Sequence, residues 1–280
     1  AAAPVAVAIT RGAIAIARGS PMPVLSAGAI WIGAILLALV CTGTLGRLAR
    51  WFPPTVVKGI QFGVGLMLLQ AGVLLVLGER VVPAGYAGAA TALPAPGDFL
   101  PALWFLAIPQ LPLTLGNAVY ASADAARTYF ADRARRVTPG RLAASIALAN
   151  VAIGVCGGMP VCHGSGGMTA HVRFGARTAG ATVIAGSLCL ALALWAGDRA
   201  WEVLAAVPPA ALGLLVAYVG VCHMLLVRGP VPRRWISLAM GFVGLATGNL
   251  AWALAAGLAA DGIAEGWCTR RRIAPVRGSG

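Results

Sequence analysis

Charge is scarce in this chain. Of 280 residues only 10% are Asp, Glu, Lys or Arg, against 59% hydrophobic, and the mean hydropathy is +0.86. A soluble domain of this length needs about a quarter of its residues charged to cover its surface. Its apolar residues also fall in long blocks, so its solvent is largely lipid. Acidic residues are scarcest: 8 Asp and Glu face 21 basic residues, nearly all Arg, for a net charge of +13. The Arg residues occupy short gaps between apolar blocks, as topology signals do. A nucleic-acid partner, which needs a continuous basic face, is not expected. The excess of Arg over Lys reads as coding bias. The 6 cysteines are scattered without a C-x-x-C pair, which excludes a disulfide framework and a zinc site. G-x-S-x-G, H-E-x-x-H and Walker A patterns are missing, as is any stretch large enough for a nucleotide-binding domain. Neither an enzyme nor an ATP-driven pump is expected, and no metal or cofactor.

What is present is a series of membrane-length runs. A helix needs about 20 mainly apolar residues to cross the hydrocarbon. Val24 to Leu45 and Thr55 to Leu77 meet this most clearly, followed by Leu100 to Ala123, interrupted by Pro109 and Pro112. Leu142 to Cys156, Ala179 to Ala196 and Val203 to Val227 are further spans. Ile236 to Leu245 and Leu250 to Ala260, separated by Gly248-Asn249, read as a hairpin lying partway into the membrane. Ala1 to Ala17 is short and broken by Arg11. The chain opens AAAPVAVAIT, without an initiator Met or the basic n-region of a signal peptide. A start inside apolar sequence implies membrane segments upstream that are absent here. The longest polar stretch, Ala125 to Arg141, has 17 residues, so residues 1–280 form one membrane domain. Arg47, Arg50 and Lys58 flank one loop and five Arg residues between Arg127 and Arg141 crowd another. Two crossings separate these clusters, so both face the cytoplasm and Val81 to Asp98 lies outside.

Two regions bring polar, Gly and Pro residues to membrane depth, where lipid offers no hydrogen bonds. In Pro109 to Asp124, PQLPLTLGNAVYASAD, helical spacing puts Gln110, Thr114 and Asn117 close to one face. That face either supplies donors to an anion or bonds a neighbouring helix. Asp124 lies seven residues beyond Asn117, as either a coupling carboxylate or a surface partner of Arg127. In Gly157 to Thr178, GGMPVCHGSGGMTAHVRFGART, the glycines Gly164, Gly166 and Gly167 permit close backbone approach to a ligand. A helix starting near Ser165 leaves its first amides unpaired at the positive end of the dipole, a ready anion site. Ser165 and Thr169 add hydroxyls. His163 bonds the anion, titrates or ties the loop to a carbonyl. Arg173 and Arg177 attract the anion or sit among headgroups. His223, in an apolar run, reads as a satisfied packing residue.

These two stretches, with VVKGIQFGVGLMLL from Val56 to Leu69, closely resemble the signature segments of the molybdate-transporter family in the wider sulfate-permease group. PVCHGSGG joined to RFGAR is the most specific element. The resemblance implies an all-α, polytopic, inverted-repeat (7+7-like) transporter with core and gate domains, incomplete at its N-terminus. Residues 1–100 would be the remainder of the first repeat, 101–265 the second repeat and 266–280 a basic tail. It further implies a secondary transporter of a tetrahedral oxyanion, molybdate or else sulfate. The anion would be held at a half-helix start by Gln110, Thr114, Asn117, His163, Gly164, Ser165, Gly166, Gly167 and Thr169. Asp124 and Arg173 would serve coupling or gating. The expected setting is the plasma or bacterial inner membrane, with a homodimer as the assembly. The alternative is a non-transporting membrane fragment or partner subunit. One departure stands out: PMPV at Pro21 to Val24 runs into LSAGAIWIGAILL without the family's Gln-Pro continuation.

Overall fold

A chain dissolved in lipid must satisfy its backbone groups internally, and long apolar runs do so as helices. The computed structural model describes residues 21–79 and 91–273, with residues 198, 201 and 265–273 as backbone only. Among the described residues there are helices and connecting turns, and no strand. The stretch Ala1 to Ala17 and much of the segment read as external lie outside them.

Proline opens most of the long helices, where its missing N–H costs nothing. Helix α1 spans Met22–Cys41, with Pro21 before it, so the PMPV stretch is a helix start. Helix α2 spans Pro54–Val76. Helix α4 spans Pro139–Val155, with the Thr138 hydroxyl accepting from the Arg141 amide at 3.3 Å. Between them runs α3, Pro96–Arg136, which Pro109 and Pro112 do not break. Instead Leu103–Ala107 and Thr114–Ala121 widen into π-helical turns. Each proline removes a helix donor, and the widened turns absorb the misfit. The regular α3 helix ends at Phe130, before Ala131 at φ 46°.

After an extended stretch come α5, Ser165–Arg173, and α6, Gly180–Ala196. The run read as one span from Val203 to Val227 divides at Pro208 into α7, Ala200–Ala205, and α8, Pro209–Met224. Helix α9, Arg234–Thr247, turns through Gly248 in the left-handed region into α10, Leu250–Ile273. The hairpin expected at Gly248 is present, but its second arm is 24 residues long. Asp261 ended the apolar count in the sequence. In the fold Arg233 Nη1 donates to it at 2.6 Å, and the helix continues. Among the described residues, four helical runs are long and apolar enough to cross a membrane: α1, α2, α3 and Pro209–Arg228. Helices α4 and α6, with 17 residues each, fall slightly short of a full span.

Helix α2 is the hub, packed on α8, α9, α10 and the middle of α3, while α1 packs on α4. Small residues set these crossings. A Cβ on Gly65 would stand 2.8 Å from the Gly220 carbonyl oxygen, and one on Gly72 would stand 2.6 Å from that of Gly213. Backbone therefore lies on backbone along two turns of α2 and α8, the small-residue packing that membrane helices favour. Helix α6 is different: it buries no residue, and Leu194 and Trp195 are 79% and 82% exposed.

Candidate functional site

The site is built where three apolar helices converge on one short polar helix. Leaving α4, the chain turns at Gly157 with φ +76°, where a Cβ would also meet the Ala92 carbonyl carbon at 2.8 Å. Gly157 is thus required twice, for its conformation and for the close approach. The Ala92 amide donates to its carbonyl at 3.1 Å. The segment then runs extended to Gly164. Asn150, fully buried on α4, clips that segment: its amide donates to the Val161 carbonyl at 2.6 Å and its oxygen accepts from the Val161 amide at 3.1 Å. Helix α5 therefore begins from a held position.

It begins at Ser165, as the sequence indicated, with Gly164 extended before it and no side chain capping its amides. Ser165 and Thr169 are fully buried, one turn apart. The Ser165 hydroxyl donates to Asn117 Oδ1 on α3 at 2.7 Å and lies 3.1 Å from His223 Nε2 on α8. Thr169 Oγ1 lies 2.7 Å from His223 Nδ1 and 2.9 Å from the Tyr129 hydroxyl. The Ser122 hydroxyl donates to the His163 carbonyl at 3.0 Å. A chain of polar groups thus crosses the interior from α3 through α5 to α8.

Of the sequence candidates, Asn117, Gly164, Ser165, Gly166 and Thr169 come together. Gln110 and Thr114 are buried further along α3 and make no side-chain hydrogen bond among the described residues. The His163 ring turns away: its Nε2 meets the Ser145 hydroxyl on α4 at 2.7 Å, leaving its carbonyl towards α3. Gly166 and Gly167 border a cavity of about 220 Å³ whose other walls are apolar, among them Leu68, Leu212 and Val219. Arg173 is exposed at the far end of α5, roughly 12 Å from Ser165 at the helical rise.

Asp124 does not share the face of Asn117. The π-helical turns between them rotate the register, so Asn117 meets α5 while Asp124 meets α2. Its partner is Lys58 Nζ at 2.7 Å, with the Gln61 amide donating to the same oxygen at 2.8 Å. Arg127 is not the partner. Lys58, read as a loop charge, is 5% exposed inside α2, neutralised there by the carboxylate. Gln61 Oε1 is buried without a donor among the described residues. A Lys and a Gln three residues apart inside an apolar run were the available signal for this pair. His223 is the satisfied packing residue expected, but its partners, 58 and 54 positions away, left no local trace. Tyr129, Ser122 and Asn150 were likewise not singled out.

Among the described residues, stacked apolar helices surround a buried, uncapped helix start, the architecture of a polytopic membrane protein. Residues 102–222 match the family described as "Molybdate transporter of MFS superfamily". Molybdate transporter 1 of Chlamydomonas reinhardtii is 39% identical over 137 residues, covering 48% of this chain and 26% of that protein. Molybdate transporter 1 of Arabidopsis thaliana is 31% identical over 114 residues, covering 41% and 25%. Molybdate transporter 2 of the same plant is 32% identical over 115 residues, covering 41% and 24%. No solved structure matches the chain. Over the matched segment, the chain is similar to the molybdate transporter family. The match spans about a quarter of the length of these curated relatives.

Proposed function

We propose that the chain is a secondary membrane transporter of a tetrahedral oxyanion, molybdate first and sulfate as the alternative. The anion would bind at the start of α5 and be moved by alternating access. The observation that carries this reading is the buried, uncapped α5 start at Ser165, facing Asn117. Free amides at a helix N-terminus bind anions through their N–H groups and the dipole. Ser165, Gly166, Gly167 and Asn117 are the contacts, and Gln110 and Thr114, buried without a side-chain hydrogen bond among the described residues, extend the polar face outward. Gly164 and His163 set the entry to the helix, while Thr169 holds it from behind. The Lys58–Asp124 pair, and Arg173, which reaches Tyr129, would serve coupling or gating.

The finer architecture belongs to the same reading. The remainder of a first inverted repeat over 1–100, a second over 101–265 and a basic tail at 266–280 are supported by the order of the signature segments. A plasma or bacterial inner membrane is supported by the basic loops. A homodimer is supported by the unburied length of α6.

Calorimetry on the detergent-solubilised chain tests the proposal. Saturable molybdate binding that excess sulfate displaces poorly is expected, lost on Gly166→Val and on replacing Ser165 with a bulky residue, with the helical content of both variants unchanged. Sulfate binding as tightly as molybdate moves the assignment to sulfate. Normal affinity in both variants removes the α5 start from consideration.

A further inference from the structure

A divalent anion at the start of α5 faces a shortage of positive charge. A helix terminus supplies about half an elementary charge. Among the described residues no Arg or Lys joins Asn117, Ser165 and Gly166 there. Arg173 stands at the other end of α5, and Lys58 is bound to Asp124. Most of a dianion's charge is left uncompensated in a medium where that is costly. One group beside Ser165 can acquire charge, and it is His223.

We propose that His223 is the proton-binding residue of this site, taking up one proton when the oxyanion binds and releasing it when the anion leaves. The inference rests on the oxyanion reading above and adds the proton as coupling ion. The geometry suits both protonation states without leaving a buried group unpaired. With the ring neutral, Nε2–H donates to Ser165 Oγ at 3.1 Å and Nδ1 accepts from the Thr169 hydroxyl at 2.7 Å. Because Nε2–H occupies the Ser165 oxygen, the Ser165 hydroxyl proton is directed onward to Asn117, 2.7 Å away, or to an anion. With the ring protonated, Nδ1–H donates to Thr169 Oγ1 instead. The Thr169 proton then turns to the Ser165 carbonyl, 3.3 Å away. Only hydroxyl rotations separate the two states. The half-buried Tyr129 hydroxyl, 2.9 Å from Thr169, continues the chain on the α3 side towards Arg173 and offers the proton a route.

The charged and titratable groups around the ring are few. Helix α2 brings Lys58, paired with Asp124 of α3 at 2.7 Å. Helix α5 carries His171 and Arg173, and the turn after α8 carries Arg228. Tyr129 of α3 acts through Thr169, and α8 itself carries Tyr218 and Cys222. Arg173 reaches the Tyr129 hydroxyl, one hydroxyl removed from Thr169, and among the described residues none of these cations touches Ser165. Binding of proton and anion is reciprocal: each raises the affinity for the other by the same factor. Affinity is therefore highest at low pH and falls as pH rises, so an inward proton gradient drives uptake.

The test is molybdate calorimetry on the whole chain at pH 7 in two buffers of different ionisation enthalpy, which counts the protons taken up. The wild-type chain is expected to take up about one proton per molybdate, and His223→Gln, which keeps a donor and an acceptor but does not titrate, close to none. That variant should also bind about tenfold more weakly at pH 6, with no pH dependence. Molybdate bound without proton uptake by the wild-type chain overturns the proposal, and so does a folded His223→Gln that still takes up a proton. Should His223→Gln not fold, Thr169→Val decides. Removing the acceptor for Nδ1–H is expected to abolish the proton uptake, and its persistence overturns the assignment. A folded wild-type chain that binds no molybdate refutes the oxyanion reading, and this inference with it.

Discussion

The contact between α2 and α8 makes a sharp prediction, because both helices carry parts of the site. A Cβ added at Gly72 would stand 2.5 Å from the Ala217 amide nitrogen and 2.6 Å from the Gly213 carbonyl oxygen. Ordinary contact begins near 3.4 Å, so the methyl of Gly72→Ala is roughly 1 Å too close. The obstructing atoms are backbone and cannot rotate aside, so the two helices must separate. Overpacking costs about 1–3 kcal/mol, and backbone obstruction places this case near 3. The better helix propensity of Ala returns about 1 kcal/mol, leaving a net loss of about 2 kcal/mol. Gly186→Ala on α6 is the control, since nothing lies within 4 Å of the added methyl there. It should be neutral or stabilising by up to about 1 kcal/mol. Unfolding midpoints of the two variants in the same detergent make the comparison. If Gly72→Ala proves as stable as Gly186→Ala, the close crossing of α2 and α8 is wrong. The positions of Lys58 and His223 relative to α5 would fall with it.

Lys58→Met removes the cation from a carboxylate that is already two-thirds covered, with its side chain 36% exposed, and should destabilise by about 2–3 kcal/mol. The double variant Lys58→Met with Asp124→Asn should recover most of that loss, which a double-mutant cycle on thermal unfolding will read. Asn150→Leu deletes the bonds to Ile146 and to both Val161 backbone groups and should cost about 3 kcal/mol. Hydrogen exchange at the Val161 amide should accelerate accordingly. Unchanged protection would show that Asn150 does not hold the approach to α5.

Much of the architecture was legible in the sequence because burial in lipid is a local property of composition. Blocks of apolar residues bounded by Pro and Arg marked α1, α2, α4 and α6 to within a few residues. GGMPVCHGSGG announced a broken helix whose start falls at Ser165. Other features were not local. The widened turns of α3 follow from Pro109 and Pro112, yet their effect, turning Asp124 from α5 to α2, appears only when the helix is built. The 24-residue α10 depended on Arg233 neutralising Asp261. Hydropathy treats Lys58 as a charge at a helix edge and His223 as a polar residue among apolar ones. Only the tertiary structure brings Asp124 to the first, and Ser165 and Thr169 to the second. The sequence determined which segments enter the membrane, since each residue's transfer energy is its own. Which polar groups share the interior was decided by packing, since a buried hydrogen bond belongs to two residues far apart in the chain.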